Sequence, residues 1–450
     1  MLVAELKQEV AELHSEVKDL KSQLGKTSKN SNKPPSSDGY RKAAKLPKEK
    51  HSKGGQKGHK GNTLKFSNEV DIVLKHEPGA CICGSRVDPS SIYLKEIRQV
   101  FDLPEPKLEV LEHQVFEGAC SCCGKKVSGS FPEAVKGPVQ YGSGVKALVG
   151  LLSNQSHLSY AQISSIFKEL FGYKINGSTL LKINRDYYKQ LNSSIEIIQS
   201  KLKKSSVNHF DETGLRVQGK NHWLHTASNE FYTHLFVHAN RGKKALDSEE
   251  SLLPSYYGRA IHDSWSSYFS YNNCSHGLCG AHIVRELEGL IEQGSKWAKK
   301  MQALLLYVLV FTRKNEGVFK DLNWVDRHYD RICQLAQKEE PLPIKTSKLG
   351  RLKRTKGRNL LERLEKHQLS VLAFAYYPEV PFTNNLAERD IRPAKSKIKV
   401  AGCFRTFEGA QYYARIRAFI STCLKQGQNV FQQLKRVCSS ESFLTDLITT

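Results

Sequence analysis

The sequence predicts a multidomain α+β protein, and three observations carry that expectation. A heptad seam runs over residues 3–24, two cysteine turns follow about 37 residues apart, and a β-β-β-α-β order begins at Val207. The length of 450 residues allows roughly two to four domains. Lys and Arg number 68 against 45 Asp and Glu, a formal charge of +23. That excess excludes an ordinary metabolic enzyme and points to a polyanionic partner, nucleic acid or a membrane surface. The chain lacks the run of roughly eighteen apolar residues that a membrane span needs, and its charged N-terminus lacks the apolar stretch of a secretory signal. The expected place is therefore the cytoplasm, at the nucleoid. There the 11 cysteines read as thiols or metal ligands, not as a disulfide framework.

In residues 1–25, Val3, Leu6, Val10, Leu13, Val17, Leu20 and Leu24 recur at spacings of 3 and 4. Val mostly at a and Leu at d favours a parallel coiled-coil dimer over a lone helix docked on its own core. Residues 26–65 are rich in Lys, Ser, Gly, Pro and Asn and read as a flexible basic linker. Lys45, Lys48, Lys50, Lys53, Lys57 and Lys60 can follow a phosphate backbone or serve as a solubilising tether. Residues 66–135 predict a small zinc-ribbon-like β module, with strands at Val70–Leu74 and Lys107–Val115. Its turns, Cys81-x-Cys83-Gly84 and Cys120-x-x-Cys123-Gly124, predict Zn2+ on Cys81, Cys83, Cys120 and Cys123. The first turn is one residue short of the usual spacing, so a degenerate knuckle that folds without metal is the alternative.

Residues 140–195 read as a helix-turn-helix DNA-binding region. One helix covers Gly144–Leu152; Ser159 caps a second over Ala161–Phe171, with Ile163, Ile166, Phe167 and Leu170 on one face. After a turn at Gly172, Asn176–Ser178 opens a third with Leu180, Leu181, Ile183 and Tyr187. Ser178, Thr179 and Lys182 at its head are the candidate DNA contacts. A plain helical hairpin shares this outline.

Val207–Val217, Asn221–Ala227 and Phe231–Ala239 then read as successive strands, Ala245–Tyr257 as a helix and Arg259–His262 as a strand, with helices from about His276. This is the order of a ribonuclease-H-like core, assigned to residues 205–284 and 380–427 with a helical insertion at 285–379 and a tail at 428–450. In that order Asp211 lies within the first strand and Asp263 just past the fourth, its neighbour in the sheet, so their carboxylates converge. Such convergence suits two Mg2+ or Mn2+ ions, about 4 Å apart, that clamp the attacking and leaving oxygens in phosphoryl transfer. Glu212 replaces Asp211 poorly because successive strand residues face opposite ways. The third acid is Glu388, in the first turn of a helix capped by Thr383 or an Asn after Pro381. Asp390, roughly 200° further around that helix, cannot share the site.

These residues carry a resemblance. The chain is similar to transposases of the insertion-sequence-66 family, bacterial DDE enzymes, over nearly its whole length. The motifs are Asn32–Asp38, Gly54–Gly61, the cysteine module, His209–Thr213, Cys279–His282 followed by Arg285 and Glu286, and Asn384–Arg389 with Arg392 and Pro393. The resemblance implies that Asp211, Asp263 and Glu388 are the catalytic acids and Mg2+ ligands. It also implies double-stranded DNA, both element ends and target, as substrate, and accessory proteins of the same element as partners. Two departures stand out: C-x-C where the family has C-x-x-C, and Ser264-Trp265 after Asp263 where it tends to Gly-Tyr.

Cys279 and His282, one helical turn apart, can share a metal or orient Arg285. Lys345–Arg358 holds seven basic residues in fourteen, and Arg351, Lys353 and Arg354 within it are candidate DNA contacts. Arg389, Arg392, Lys395, Lys397 and Lys399 can neutralise DNA beside the cleaved bond, or form a solvated basic face. Ala410–Lys425 reads as a core helix, with Tyr413, Ile416, Phe419, Ile420 and Leu424 as its stripe. The expected function is metal-dependent strand cleavage and strand transfer at the ends of an insertion sequence, by a homodimer or higher oligomer. The alternative is a catalytically inactive DNA-binding regulator derived from such an enzyme.

Overall fold

The computed structural model describes residues 63–79, 81–314, 319–342 and 354–439. The leader heptads, the linker lysines 45–60, Arg351 and Lys353 lie outside those residues. The chain divides into two compact units, residues 40–110 and the remainder, and each is described by itself.

Within residues 63–110, Asp88 caps a single 3-10 turn at Pro89–Ser91, and Ser67 and Gln99 exchange hydrogen bonds of 2.7 and 2.9 Å. The strands expected at Val70–Leu74 and Lys107–Val115 are not formed. Ile72, Val73 and Leu74 stand 76, 72 and 75% exposed, so their alternation buries no face, and it is burial that makes such a pattern a strand. In the other unit, the described residues 111–135 form one short hairpin, β1 (Glu117–Ala119) with β2 (Lys126–Ser128).

Four helices follow: α1 (Ser143–Asn154), α2 (Tyr160–Phe171), α3 (Gly177–Gln190) and α4 (Asn192–Lys203). Ser159 closes a reciprocal capping box with Gln162, and Gly172 ends α2 in the left-handed region at φ 73°. The apolar faces of α1–α3 share one core with Ile416, Phe419 and Ile420 of α13 (Phe407–Lys425) and with Val430, Leu434 and Val437 of α14 (Val430–Ser439). The stretch expected to be a tail thus begins with a packed helix. Leu424, placed on the apolar stripe of α13, is 46% exposed.

The central sheet runs β5-β4-β3-β6-β7: β3 is Val207–Val217, β4 Lys220–Ser228, β5 Thr233–His238, β6 Arg259–His262 and β7 Ser275–Leu278. The first three are antiparallel, and β6 and β7 join parallel to β3. The helix expected over Ala245–Tyr257 contracts to α5 (Lys243–Leu246) and a 3-10 turn at Leu253–Ser255. Ser248, Ser251 and Pro254 interrupt it, and Asn273 bonds the Leu253 and Tyr256 carbonyls that a helix would have used. His276, expected to start helices, lies in β7 instead. Four residues including Gly277 have little strand propensity, and pairing with β6 imposes the conformation.

Beyond β7 come α6 (Gly280–Ile291), α7 (Lys296–Lys314), α8 (Leu322–Glu339), α9 (Lys356–Lys366), α10 (Gln368–Val371) and α11 (Ala373–Tyr376). Their core, built on Trp297, Met301, Tyr329 and Leu361, continues into Ile261 and Leu278 of the sheet. The chain then returns through Phe382 to α12 (Asn385–Ala401), which packs on β3 and β4.

Candidate active site

Strand register aligns the first pair of acids. Val207, Asn208 and His209 of β3 face Arg259, Ala260 and Ile261 of β6. Continuing that register two residues sets Asp211 level with Asp263. The β6–β7 register, continued one residue past His262 and Leu278, sets Cys279 beside Asp263. By this register Asp211 stands within β3, level with Asp263 and Cys279 just past the ends of the parallel strands β6 and β7, the place an open α/β sheet offers for ligands.

Glu388 arrives on α12, whose two ends are both tied to β3. At the N-terminal end Asn384, 2% exposed, donates through Nδ2 to the Phe210 carbonyl at 2.8 Å, and its Oδ1 meets His209 Nδ1 at 2.8 Å. Its backbone N–H points at Cys279 Sγ, 3.2 Å away. Past the C-terminal end, Phe404 exchanges backbone hydrogen bonds of 2.9 Å with Arg216 and Gln218. Gly280 is required for the approach: a Cβ there would strike the Phe382 ring, and its N–H donates to the Phe382 carbonyl at 2.8 Å. His209 and Asn384 were legible as motif letters, but their role as a clamp appears only in three dimensions.

Asp211 lies within electrostatic reach of the other acids. Burial pushes the Asp211 pKa well above its ordinary 3.8, and the negative charges of Glu212, Asp263 and Glu388 push it further. Asp263 Oδ1 accepts the Trp265 N–H at 2.9 Å. Glu212, whose pKa burial also raises, is no spare ligand. It accepts from Arg241 at 2.7 Å and from the Tyr268 hydroxyl at 2.5 Å, and Arg241 itself lies over the rings of Trp223 and Trp265. Asp390 is turned away, as expected, and accepts from Thr233, Ser421 and Lys425. A buried carboxyl such as Asp211, pushed up further by the carboxylates near it, suits a hard divalent cation, which would relieve that repulsion.

Glu388 has a second neighbourhood. Its carboxylate, Cys279 Sγ and a ring nitrogen of His282 all lie within 4.8 Å of one another. Cys279 is the N-cap of α6 and His282 sits in its first turn. Burial raises the Cys279 pKa and lowers that of His282, the latter opposed by Glu388. Sequence spacing had paired Cys279 with His282; their third member, about a hundred residues later, has no local signal.

A family model described as Transposase IS66 family matches residues 138–412. The chain belongs to that family. It is a transposase, and with that a DNA-binding, DNA-processing enzyme whose family uses divalent metal. A second model, a family of unknown function, covers residues 1–65 of this IS66-family chain, and no curated protein matches it. No helix among the described residues is long and apolar enough to cross a membrane.

The transposase's candidate DNA contacts fall in different settings. Ser178 and Lys182 are exposed and Thr179 half-buried at the head of α3. Arg389, Arg392 and Lys395 are exposed on α12, and Arg392 lies 3.7 Å from Glu388. Lys397 is not a surface cation. Nine positions past Glu388 it points inward, and its Nζ donates to the Ser153 and Leu158 carbonyls at 3.1 and 2.9 Å. Burial lowers its pKa to about 8. Arg354 is half committed to Glu362, which also takes Arg358 at 2.9 Å. At the cysteine turns, Gly84 and Gly124 are left-handed at φ 85° and 67°, and each donates its N–H to the first cysteine's carbonyl at 2.8 Å. The Ser85 amide lowers the Cys83 pKa to about 7, and the Cys123 and Cys122 amides lower that of Cys120. Each turn by itself favours a thiolate.

Proposed function

We propose that this transposase cuts and joins DNA by a DDE mechanism on a ribonuclease-H-like core, with Asp211, Asp263 and Glu388 as its acids. The observation that carries the reading is the β3–β6 register, which continued two residues sets Asp211 within β3 level with Asp263 just past β6, with the charge of Glu388 bearing on Asp211. The three carboxylates would hold two divalent ions, Mg2+ or Mn2+, which supply Lewis acidity to the attacking and leaving oxygens. The chain's own groups do the positioning. Asn384 and Phe404 fix α12, and Arg241 and Tyr268 keep Glu212 out of the ligand set. Arg392, Lys395 and Arg389 line the face of α12 next to Glu388, where they would neutralise the phosphates flanking the cleaved bond. Hydrolysis of one strand at the element's end would free a 3′-hydroxyl, which the same site directs onto a target phosphodiester.

The helix-turn-helix outline of α2 and α3, with Ser178, Thr179 and Lys182 leading, would read the element's end. Zinc on the Cys81–Cys83 and Cys120–Cys123 turns, pairing of copies through the leader heptads and accessory proteins of the element belong to the same reading. The test is Mg2+-dependent nicking of duplex carrying the element's end by purified full-length protein. Asp211→Asn and Glu388→Gln are each expected to lose more than about 10²-fold in rate while still binding the duplex. Nicking at wild-type rate by either variant would refute the assignment.

A further inference from the structure

We propose that Cys279, His282 and Glu388 form a binding site for a thiophilic divalent cation, zinc. This goes beyond the cleavage reading and meets it only at Glu388. The ligand atoms already lie within 4.8 Å of one another, and His282 Nδ1 is 4.0 Å from Glu388 Oε1. Tetrahedral zinc, with bonds of about 2.0–2.3 Å, would set them about 3.3–3.6 Å apart, a closure within reach of side-chain torsions.

The site also has two polar atoms in need of a partner. His282 Nδ1 and Glu388 Oε1 are both buried and make no hydrogen bond. Leaving both so is costly, and one cation between them satisfies both. Their side chains remain 20 and 21% exposed, which leaves solvent a path to a fourth coordination position. Cys279 is prepared from the other side. The backbone N–H of Asn384 reaches its sulfur at 3.2 Å, and the amides of Ala281 and His282 at the start of α6 also bear on it. Amide donors of this kind oppose the burial that raises the Cys279 pKa and support metal-bound sulfur.

Donor type then selects the ion. One sulfur, one imidazole nitrogen and one carboxylate oxygen suit zinc, whereas Mg2+ prefers the all-oxygen set of the neighbouring aspartates. Thiolate and carboxylate together balance a 2+ charge. Bound there, the ion would join the β7–α6 junction to the first turn of α12 through side chains, as Asn384 does through hydrogen bonds.

The test uses full-length protein in which Cys81, Cys83, Cys120, Cys122 and Cys123 are changed to Ser, stripped with chelator and titrated with Co2+ as a spectroscopic stand-in for zinc. About one equivalent is expected to bind with a thiolate charge-transfer band, and zinc to displace it. Cys279→Ser and His282→Gln, with unchanged melting, should weaken binding at least tenfold, and Asp211→Asn should leave it intact. No band, or a band that survives Cys279→Ser, overturns the proposal. Nicking at wild-type rate by a Glu388→Gln variant that has lost the Co2+ band would instead sink the cleavage reading and leave this one standing.

Discussion

One buried side chain, Asn384, ties the start of the helix that carries Glu388 to β3. Its amide satisfies both the Phe210 carbonyl and His209 Nδ1. Asn384→Ala orphans both, at about 1–3 kcal/mol for each unsatisfied buried group. The expected result is a melting temperature lowered by several degrees and a loss of nicking larger than the loss of folded protein; an unchanged nicking rate in the folded variant would show that the clamp is not needed. Asp211 gives a pH signature. Its native pKa lies well above the ordinary 3.8. The native state therefore holds the proton more tightly than the unfolded one, and this group's contribution is lost as pH rises from about 4 through the native value. Asp211→Asn should be more stable than wild type at pH 8 without metal, with the difference gone near pH 4. Melting curves with and without Mg2+ check this: the ion should raise the wild-type midpoint at pH 8 and leave the variant's in place.

At the scale of the element, α12 is a helix with two jobs on two faces. Glu388, Arg392, Lys395 and Lys399 recur at spacings of 3 and 4 along one stripe, while Lys397 is half a turn away, bonded to carbonyls in the last turn of α1 and just beyond it. Sequence alone grouped all these cations, because charge runs reveal composition and not which side is buried. The two faces should separate in experiment. Arg392→Ala and Lys395→Ala should each lower the slope of log affinity against log salt by about 0.9 for duplex DNA, while melting stays put. Lys397→Ala should destabilise by roughly 1–3 kcal/mol through three carbonyls left short of a donor, with the salt slope unchanged. The reverse pattern would mean that the buried lysine, and not the exposed stripe, meets DNA. Other elements were legible in the sequence for a physical reason. β3, β4, α2, α12 and α13 announce themselves through caps or periodicity, and the proposed acids Asp211, Asp263 and Glu388 are candidates because of their place in that order. β7 and the shortened α5 do not, since neighbours and breakers outweigh propensity there. The strands expected around residues 70–74 and 107–115 failed the other way, with pattern present but no face to bury it against.

Across the whole molecule, sequence order and packing order diverge. The helices of residues 143–190 share their core with α13 and α14, and Tyr187 donates to the Leu434 carbonyl at 3.0 Å across 247 positions. No local window contains such a contact, and so the last helix passed for a tail. The sheet at the centre carries a further global property: four buried neutral histidines. Burial lowers the pKa of His209, His225 and His234 to about 4 and that of His262 to about 3. Unfolded, each would titrate near 6.5. The stability these groups hold is therefore full above pH 6.5 and is lost as pH falls from there toward 4, because the unfolded chain takes up protons that the native sheet refuses. Each accounts for up to about 3 kcal/mol by pH 4, and a domain's whole stability is roughly 5–15 kcal/mol. Asp211 works in the opposite direction but is one carboxyl against four imidazoles. The midpoint of thermal unfolding should thus change little from pH 8 to 7 and fall steeply between pH 6 and 5, with roughly two or more protons taken up on unfolding. His225→Gln, which keeps a donor for the Asn240 carbonyl, should remove about one proton from that slope. Melting curves from pH 8 to 4.5 measure both, and a midpoint that stays level between pH 7 and 5 would mean that these rings already carry their protons in the folded sheet.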